Sequence, residues 1–100
     1  MNDLKITLIA KEIEYGSQID EAAFFYWIDK IEGILWKGVH DSIHIDIPSN
    51  QIEDGTLREL LALFYRYKID SQQLTQFIND SNRSWVLNKH AYWYSGLMGL

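Results

Sequence analysis

The chain contains no cysteine and only one proline. Without cysteine it has no disulfide framework, no thiolate ligands for a metal and no catalytic thiol. No apolar run approaches the roughly 20 residues that a membrane-spanning helix requires. The segment Met1–Lys5 lacks the basic and apolar regions of a secretory signal peptide. We therefore expect a single cytoplasmic domain over residues 1–100.

Basic residues are also scarce, with nine Lys and Arg against 14 Asp and Glu. Residues 1–54 carry eleven acids and four bases, a net charge of −7, whereas residues 55–100 carry a net charge of +2. An acidic half argues against a nucleic-acid partner, because binding to phosphates needs a basic surface. It favours a basic protein partner, although solubility alone also explains a mildly acidic chain.

Aromatic residues are abundant, at 14% of the sequence. A domain of this size does not easily bury all of them, and Trp and Tyr are favoured as anchors of protein interfaces. We expect most of them in the core and at least one at the surface. The candidates for exposure lie outside the first predicted helix and are Trp36, Trp85, Tyr92, Trp93 and Tyr94.

The first half of the chain shows a strand pattern and then a helix pattern. Alternating apolar residues predict a strand over residues 4–9, which Ile13 and Tyr15 extend after a break. A helix is predicted from a cap at Asp20 to a left-handed Gly33. Its buried stripe consists of Phe24, Trp27, Ile28 and Ile31.

A β-hairpin is predicted next. Strands over residues 34–36 and 42–47 are joined by a turn near residues 38–41. In the second strand, three alternating isoleucines lie on one face, and His44 and Asp46 lie on the other.

Two helices are predicted after the hairpin. Thr56 and Glu59 form a capping box that opens a helix ending near Lys68. Asp70 and Gln73 form a second capping box before a short helix. The aromatic C-terminal tail fits both helix and strand. This order of elements predicts an α+β fold, in which a small antiparallel sheet packs against about three helices.

One cluster combines histidine with carboxylates, at His40, Asp41, His44 and Asp46. Its spacing matches no known metal motif, so we expect neither a metal nor another cofactor. The chain also lacks a nucleophile elbow, a P-loop and a dinucleotide-binding glycine pattern. A small metal-dependent hydrolase centred on His40, His44 and Asp46 is the enzymatic alternative.

A second pattern alternates tyrosine with cations, in Tyr65, Arg66, Tyr67 and Lys68. It fits a stacking and basic patch for nucleic acid. It also fits cations that offset the negative end of a helix dipole, and this simpler interpretation is preferred.

The segment LRELLALFYRYKID at residues 57–70 carries a resemblance to a known family. Together with FYWIDKI at residues 25–31, it resembles small bacterial immunity proteins of contact-dependent growth inhibition and related polymorphic toxin systems. The similarity extends over about residues 24–94. Further residues of the pattern are Gly38, Gln73, Leu74, Phe77, Asn82, Trp85, Tyr92 and Trp93.

The resemblance implies a non-enzymatic inhibitor that binds a cognate toxin domain, often a nuclease, and blocks its active site or an adjacent surface. An acidic surface competes with substrate for a basic nuclease site. The free protein is then a monomer or weak dimer with no nucleic-acid or membrane partner, and a homodimeric interaction module is a further alternative. The candidate toxin-binding residues are Trp36, Asp41, Asp46, Glu53 and Asp54, with Glu12 and Glu14 as a second patch.

Overall fold

Three antiparallel strands form the sheet of the computed structural model, which describes residues 5–49 and 51–100. The strands are β1 (Ile6–Lys11), β2 (Leu35–Val39) and β3 (Ser42–Ile47). Their order is β1-β3-β2, so β3 is central and pairs with both neighbours. The predicted hairpin is confirmed. Leu4, expected to begin the first strand, lies outside the described residues.

Two longer helices and three short ones complete the chain. Helix α1 (Gln18–Lys30) connects β1 to β2, and α2 (Asp54–Arg66) follows β3. The short helix predicted after Asp70 is a 3₁₀ helix (Ser71–Phe77). The aromatic C-terminal tail is helical rather than extended, and its elements are α3 (Arg83–Val86) and α4 (Tyr94–Met98). None of the helices in the described ranges is long and apolar enough to cross a bilayer. The α+β prediction is confirmed.

The core lies between one face of the sheet and the helices. Ile45 and Ile47 of β3 are fully buried in this core, while His44 and Asp46, at the alternate positions of the strand, are only half-buried. The predicted period of two is therefore confirmed. Helix α1 follows its predicted stripe except at Trp27, which is only partly buried. Its buried members are Phe24, Ile28 and Ile31, and those of α2 are Thr56, Leu57, Leu60, Leu61, Leu63 and Phe64.

Both ends of α1 differ in detail from the prediction. The N-cap is Ser17, whose Oγ accepts the Asp20 N–H at 3.1 Å, so Asp20 lies in the first turn instead of at the cap. At the other end, Gly33 has the expected positive φ of 88°. It stands in the turn beyond the C-cap Ile31, and the helix itself has already ended at Lys30.

The predicted capping box of α2 is wrong. The helix begins earlier, with Glu53 as its N-cap, so Thr56 falls inside the first turn. The Thr56 hydroxyl donates to the carbonyl oxygen of Glu32 at 2.7 Å. The Glu59 carboxylate accepts the indole N–H of Trp27 at 2.9 Å. Both side chains therefore connect α2 to the end of α1. Their hydrogen bonds go to Glu32 and Trp27 instead of to the backbone of their own helix.

The second predicted capping box is half correct. The Asp70 carboxylate caps the 3₁₀ helix by accepting the Gln72 N–H at 3.0 Å. Gln73 instead reaches the outer edge of β1, where its amide accepts from the Ile9 N–H at 2.7 Å and donates to the Ile9 carbonyl at 3.0 Å. One side chain thus satisfies both backbone groups that an edge strand leaves open at this position.

The aromatic residues divide as expected. Trp93 is buried, and its indole N–H donates to the Val86 carbonyl at 2.8 Å. Trp36 is half-buried against Phe25 and donates to the Asp29 carboxylate at 2.9 Å. Tyr92 is 51% exposed, which confirms that at least one of the candidate aromatics lies at the surface.

Candidate functional site

The acidic residues predicted to bind a partner do not form one patch. Asp46 lies on the outer face of the sheet, where its carboxylate accepts the Thr7 hydroxyl at 2.8 Å and lies 3.9 Å from the Lys5 ammonium. The hydrogen bond from Thr7, with a smaller contribution from Lys5, lowers the pKa of Asp46 below its ordinary value. Asp46 is therefore engaged within the molecule, and it borders none of the depressions that Glu12, Glu14, Asp41 and Glu53 line.

Glu53 and Asp54 lie at the opposite end of the sheet from Asp41. Asp41 directly precedes β3, whereas Glu53 follows the segment that leaves β3 and begins α2. Glu53 borders a depression of about 350 Å³ together with Glu32 and Glu59. The fold therefore separates two groups of acids that the sequence did not distinguish.

Three of the predicted acids do come together at one end of the molecule. Glu12 borders two depressions, one shared with Glu14 and the other with Asp41. This proximity follows from the strand register, because Lys11 pairs with Ser42 and places the following and preceding residues side by side. We call this surface the charged end, and its residues are Glu12, Glu14, His40, Asp41, Arg66 and Lys68.

Three residues of the charged end have left-handed backbone conformations. The φ angles are 55° for Glu12, 57° for His40 and 57° for Lys68, and no other non-glycine residue of the described ranges has a positive φ. Glu12 is where the chain leaves the sheet, so the predicted extension through Ile13 and Tyr15 is wrong. Each such residue costs roughly 1–2 kcal/mol relative to a right-handed conformation, and glycine avoids this cost.

Lys68 is the clearest case of a charged residue at a position that glycine usually occupies. The Ile69 N–H donates to the Phe64 carbonyl at 2.9 Å, and the Lys68 N–H donates to the Tyr65 carbonyl at 3.4 Å. This is the Schellman arrangement, in which glycine is the usual left-handed residue. Helix α4 ends in the same way with Gly99 at that position. At the end of α2, the chain instead places a charged side chain there.

We expect Lys68→Gly to raise the free energy of unfolding by about 1 kcal/mol, since glycine relieves the left-handed strain despite its greater freedom in the unfolded chain. Urea denaturation measures the change. Lys89→Gly is the matched control, because Lys89 is an exposed turn residue without a positive φ. If both glycine variants lose stability equally, the strain at Lys68 is absent.

A hydrogen-bond network connects Arg66 of the charged end to Asp20 of α1. The Asp20 carboxylate accepts the Tyr67 hydroxyl at 2.9 Å, the Arg66 guanidinium at 3.2 Å and the Gly16 N–H at 2.7 Å. The bond from Gly16, followed by that from Tyr67, lowers the pKa of Asp20. Burial raises the pKa of Tyr67, so its hydroxyl remains a donor at neutral pH. The network fixes the end of α2 against the start of α1.

Tyr67→Phe is expected to lower the free energy of unfolding by about 1 kcal/mol at neutral pH, through loss of its hydroxyl donor. Because Asp20 has a lowered pKa in the folded protein, its bonds stabilise fully above the ordinary value of 3.8, and this stability is lost as the pH falls through the folded value. The difference in the free energy of unfolding between variant and parent, measured by denaturation, should therefore become smaller below pH 3.8. A gap independent of pH would contradict the role of Asp20.

The histidines do not assemble a metal site in the described part of the chain. His44 points to the outer face of the sheet beside Asp46, and His40 occupies the hairpin turn. No group of three or more histidine or carboxylate side chains in residues 5–49 and 51–100 lies close enough to hold a metal ion. The hydrolase alternative stays a prediction without a metal cluster to support it.

Arg66 and Lys68 were absent from the predicted partner surface. Their proximity to Glu12 and Glu14 depends on where β1 ends relative to α2, which no local pattern reveals. The sequence signals are the alternation of tyrosine and cations over residues 65–68 and a lysine just after the end of a helix, at a position that glycine usually takes.

Comparison with known proteins identifies no relative. No protein-family model, no curated protein and no solved structure matches the chain. The resemblance to immunity proteins stays a prediction, and the assignment of the site depends on its geometry.

Proposed function

We propose that the protein is a non-catalytic inhibitor that binds a toxin domain, of the nuclease class, through the charged end. The observation that supports this most is the left-handed backbone of Glu12, His40 and Lys68. Glycine avoids the cost of a left-handed conformation, and strained non-glycine residues cluster at binding and catalytic sites. All three border adjoining depressions on one surface, and each places a titratable or charged side chain there.

The charges of this surface suit the active site of a nuclease. Glu12, Glu14 and Asp41 supply three carboxylates, which pair with the cations that a nuclease uses to hold phosphates. Lys68 lies on the other side of Glu12, opposite the carboxylates with which metal-dependent nucleases bind their ions, and Arg66 lies beside it in an ion pair with Asp20. Such a pattern speeds association and rejects partners with the wrong charge order.

The proposal places the protein in the cytoplasm, where a delivered nuclease meets its substrate. The small size of the chain and its lack of cysteine are compatible with such an inhibitor. Binding alone is sufficient for protection, so no catalytic group is required of the inhibitor.

The test uses the open reading frame immediately upstream of the gene. Its C-terminal domain is expressed with this protein, or with an unrelated acidic domain of similar size, and growth is scored. We expect growth arrest that this protein alone relieves. Toxicity that this protein fails to relieve would contradict the proposed function.

A further inference from the structure

A groove of about 950 Å³ lies between the end of α2 and the C-terminal segment. Trp27 of α1 also lines it. We call it the aromatic groove, and the residues that carry its chemistry are Trp27, Tyr65, Arg66, Lys68, Tyr92 and Trp93. Concave sites with aromatic walls and a few polar groups are the usual places for ligands.

Two tyrosines give the groove an exposed aromatic wall. Tyr65 is 55% exposed and Tyr92 is 51% exposed, and their ring centroids lie 4.8 Å apart at an interplanar angle of 60°. Trp93 packs beneath Tyr92 at 5.0 Å and is held by its own hydrogen bond to Val86. Tyr67, the other tyrosine of the alternating sequence, is buried and unavailable for stacking. The exposed pair is therefore rigidly backed and open to a ligand.

The groove carries charges of both signs. Arg66 and Lys68 line it, and so does Asp70, whose carboxylate accepts the Gln72 N–H. Arg66 forms an ion pair with Asp20 at 3.2 Å, whereas Lys68 has no ion-pair partner among residues 5–49 and 51–100. Lys68 is therefore the lining cation that is available to a ligand.

We propose that the aromatic groove binds an extended peptide segment of a protein partner, in which an acidic residue lies beside an aromatic residue or proline. Tyrosine faces accept flat apolar side chains and the rings of proline. The Lys68 ammonium then pairs with the peptide carboxylate. A nucleic acid fits less well, because its backbone carries a negative charge at every phosphate, whereas the chain has a net charge of −5 and Lys68 is the one unpaired cation that lines the groove among the described residues.

The groove shares Arg66 and Lys68 with the charged end, but its tyrosines lie outside that surface and its test needs no toxin, so failure of one proposal is distinguishable from failure of the other. The purified full-length protein is used to select from a phage-displayed library of random dodecapeptides. Selected peptides are then synthesised, and their affinities are measured for the parent and for variants of the groove. A labelled oligothymidylate is titrated in parallel.

We expect enriched peptides to share an acidic residue next to an aromatic residue or proline. The double variant Tyr65→Ala with Tyr92→Ala should bind them at least about 10-fold more weakly, and Lys68→Gln, which removes only the charge, about 5-fold more weakly. Tyr26→Ala is the matched control, because Tyr26 is 68% exposed on α1 outside the groove, and its affinity should equal that of the parent. Thermal melting establishes that each variant is folded.

Three results would overturn the proposal. The first is a library selection with no enrichment above background. The second is a set of peptides that bind the groove variants as tightly as the parent. The third is saturable binding of the oligothymidylate that the tyrosine variants abolish, which would assign the groove to single-stranded nucleic acid.

Discussion

Phe24→Ala is expected to lower the free energy of unfolding by about 3–5 kcal/mol, the range for deleting a fully buried phenylalanine ring. The Phe24 side chain has no exposed surface. Its ring makes edge contacts with Tyr15, Phe25 and Tyr67, at centroid distances of 5.6, 5.2 and 5.0 Å. Tyr15 and Tyr67 border the depressions of the charged end, so this ring supports both the core and the candidate site.

Chemical denaturation in urea measures this loss. Tyr26→Ala again provides the control, because it removes an aromatic ring from the same helix at an exposed position. We expect it to change stability by about 0.5 kcal/mol or less. If Phe24→Ala is no less stable than Tyr26→Ala, the contacts of Phe24 with Tyr15, Phe25 and Tyr67 do not hold α1 against the end of α2.

Reversal of two charges, with Glu12→Lys and Asp41→Lys in one chain, is expected to weaken toxin binding at least about 100-fold and to abolish protection in the growth assay. The two carboxylates border one depression of the charged end. Replacing them with lysines places like charges against a basic partner. It also removes the ion pairs that the two carboxylates are proposed to form with that partner. Calorimetry with the purified toxin domain measures the affinity.

The control has the same change of net charge at a different place. Glu53→Lys with Asp54→Lys reverses two carboxylates at the start of α2, at the other end of the sheet. We expect it to slow association modestly, through the altered overall field, and to leave protection intact. Equal loss of affinity in both double variants would mean that overall charge, not the charged end, determines binding.

Periodic patterns predicted the parts of the fold in which neighbours along the chain decide the outcome. The spacing of Phe24, Trp27, Ile28 and Ile31 placed them on the core side of α1, and all are buried except Trp27, which is partly buried. Alternation likewise set His44 and Asp46 apart from the buried isoleucines of β3. In both cases one face of an element is covered by the core, so hydrophobicity alone specifies its orientation.

Side chains that form hydrogen bonds across the fold could not be assigned in this way. Thr56 and Gln73 have the sequence context of capping boxes, yet the Thr56 hydroxyl bonds to Glu32, and the Gln73 amide bonds to Ile9 as well as to the local Asp70 carbonyl. Ile9 is 64 residues away from Gln73. A local motif shows which residues are able to cap a helix, whereas tertiary packing decides whether a more distant group takes their hydrogen bonds.

The candidate site shows the same limit. The sequence identified Glu12, Glu14 and Asp41 as acids worth testing but gave them no common location. Their proximity depends on the strand order β1-β3-β2 and its register. The left-handed conformations at the charged end were equally hidden, because none of the three residues is a glycine.

Amide hydrogen exchange with and without the toxin domain tests most directly whether the charged end is the binding surface. The account predicts slower exchange on binding at residues 12–15, at His40 and Asp41, and at residues 66–69, which form or adjoin the charged end. Protection confined to the start of α2 around Glu53 and Asp54, with the charged end unchanged, would contradict it.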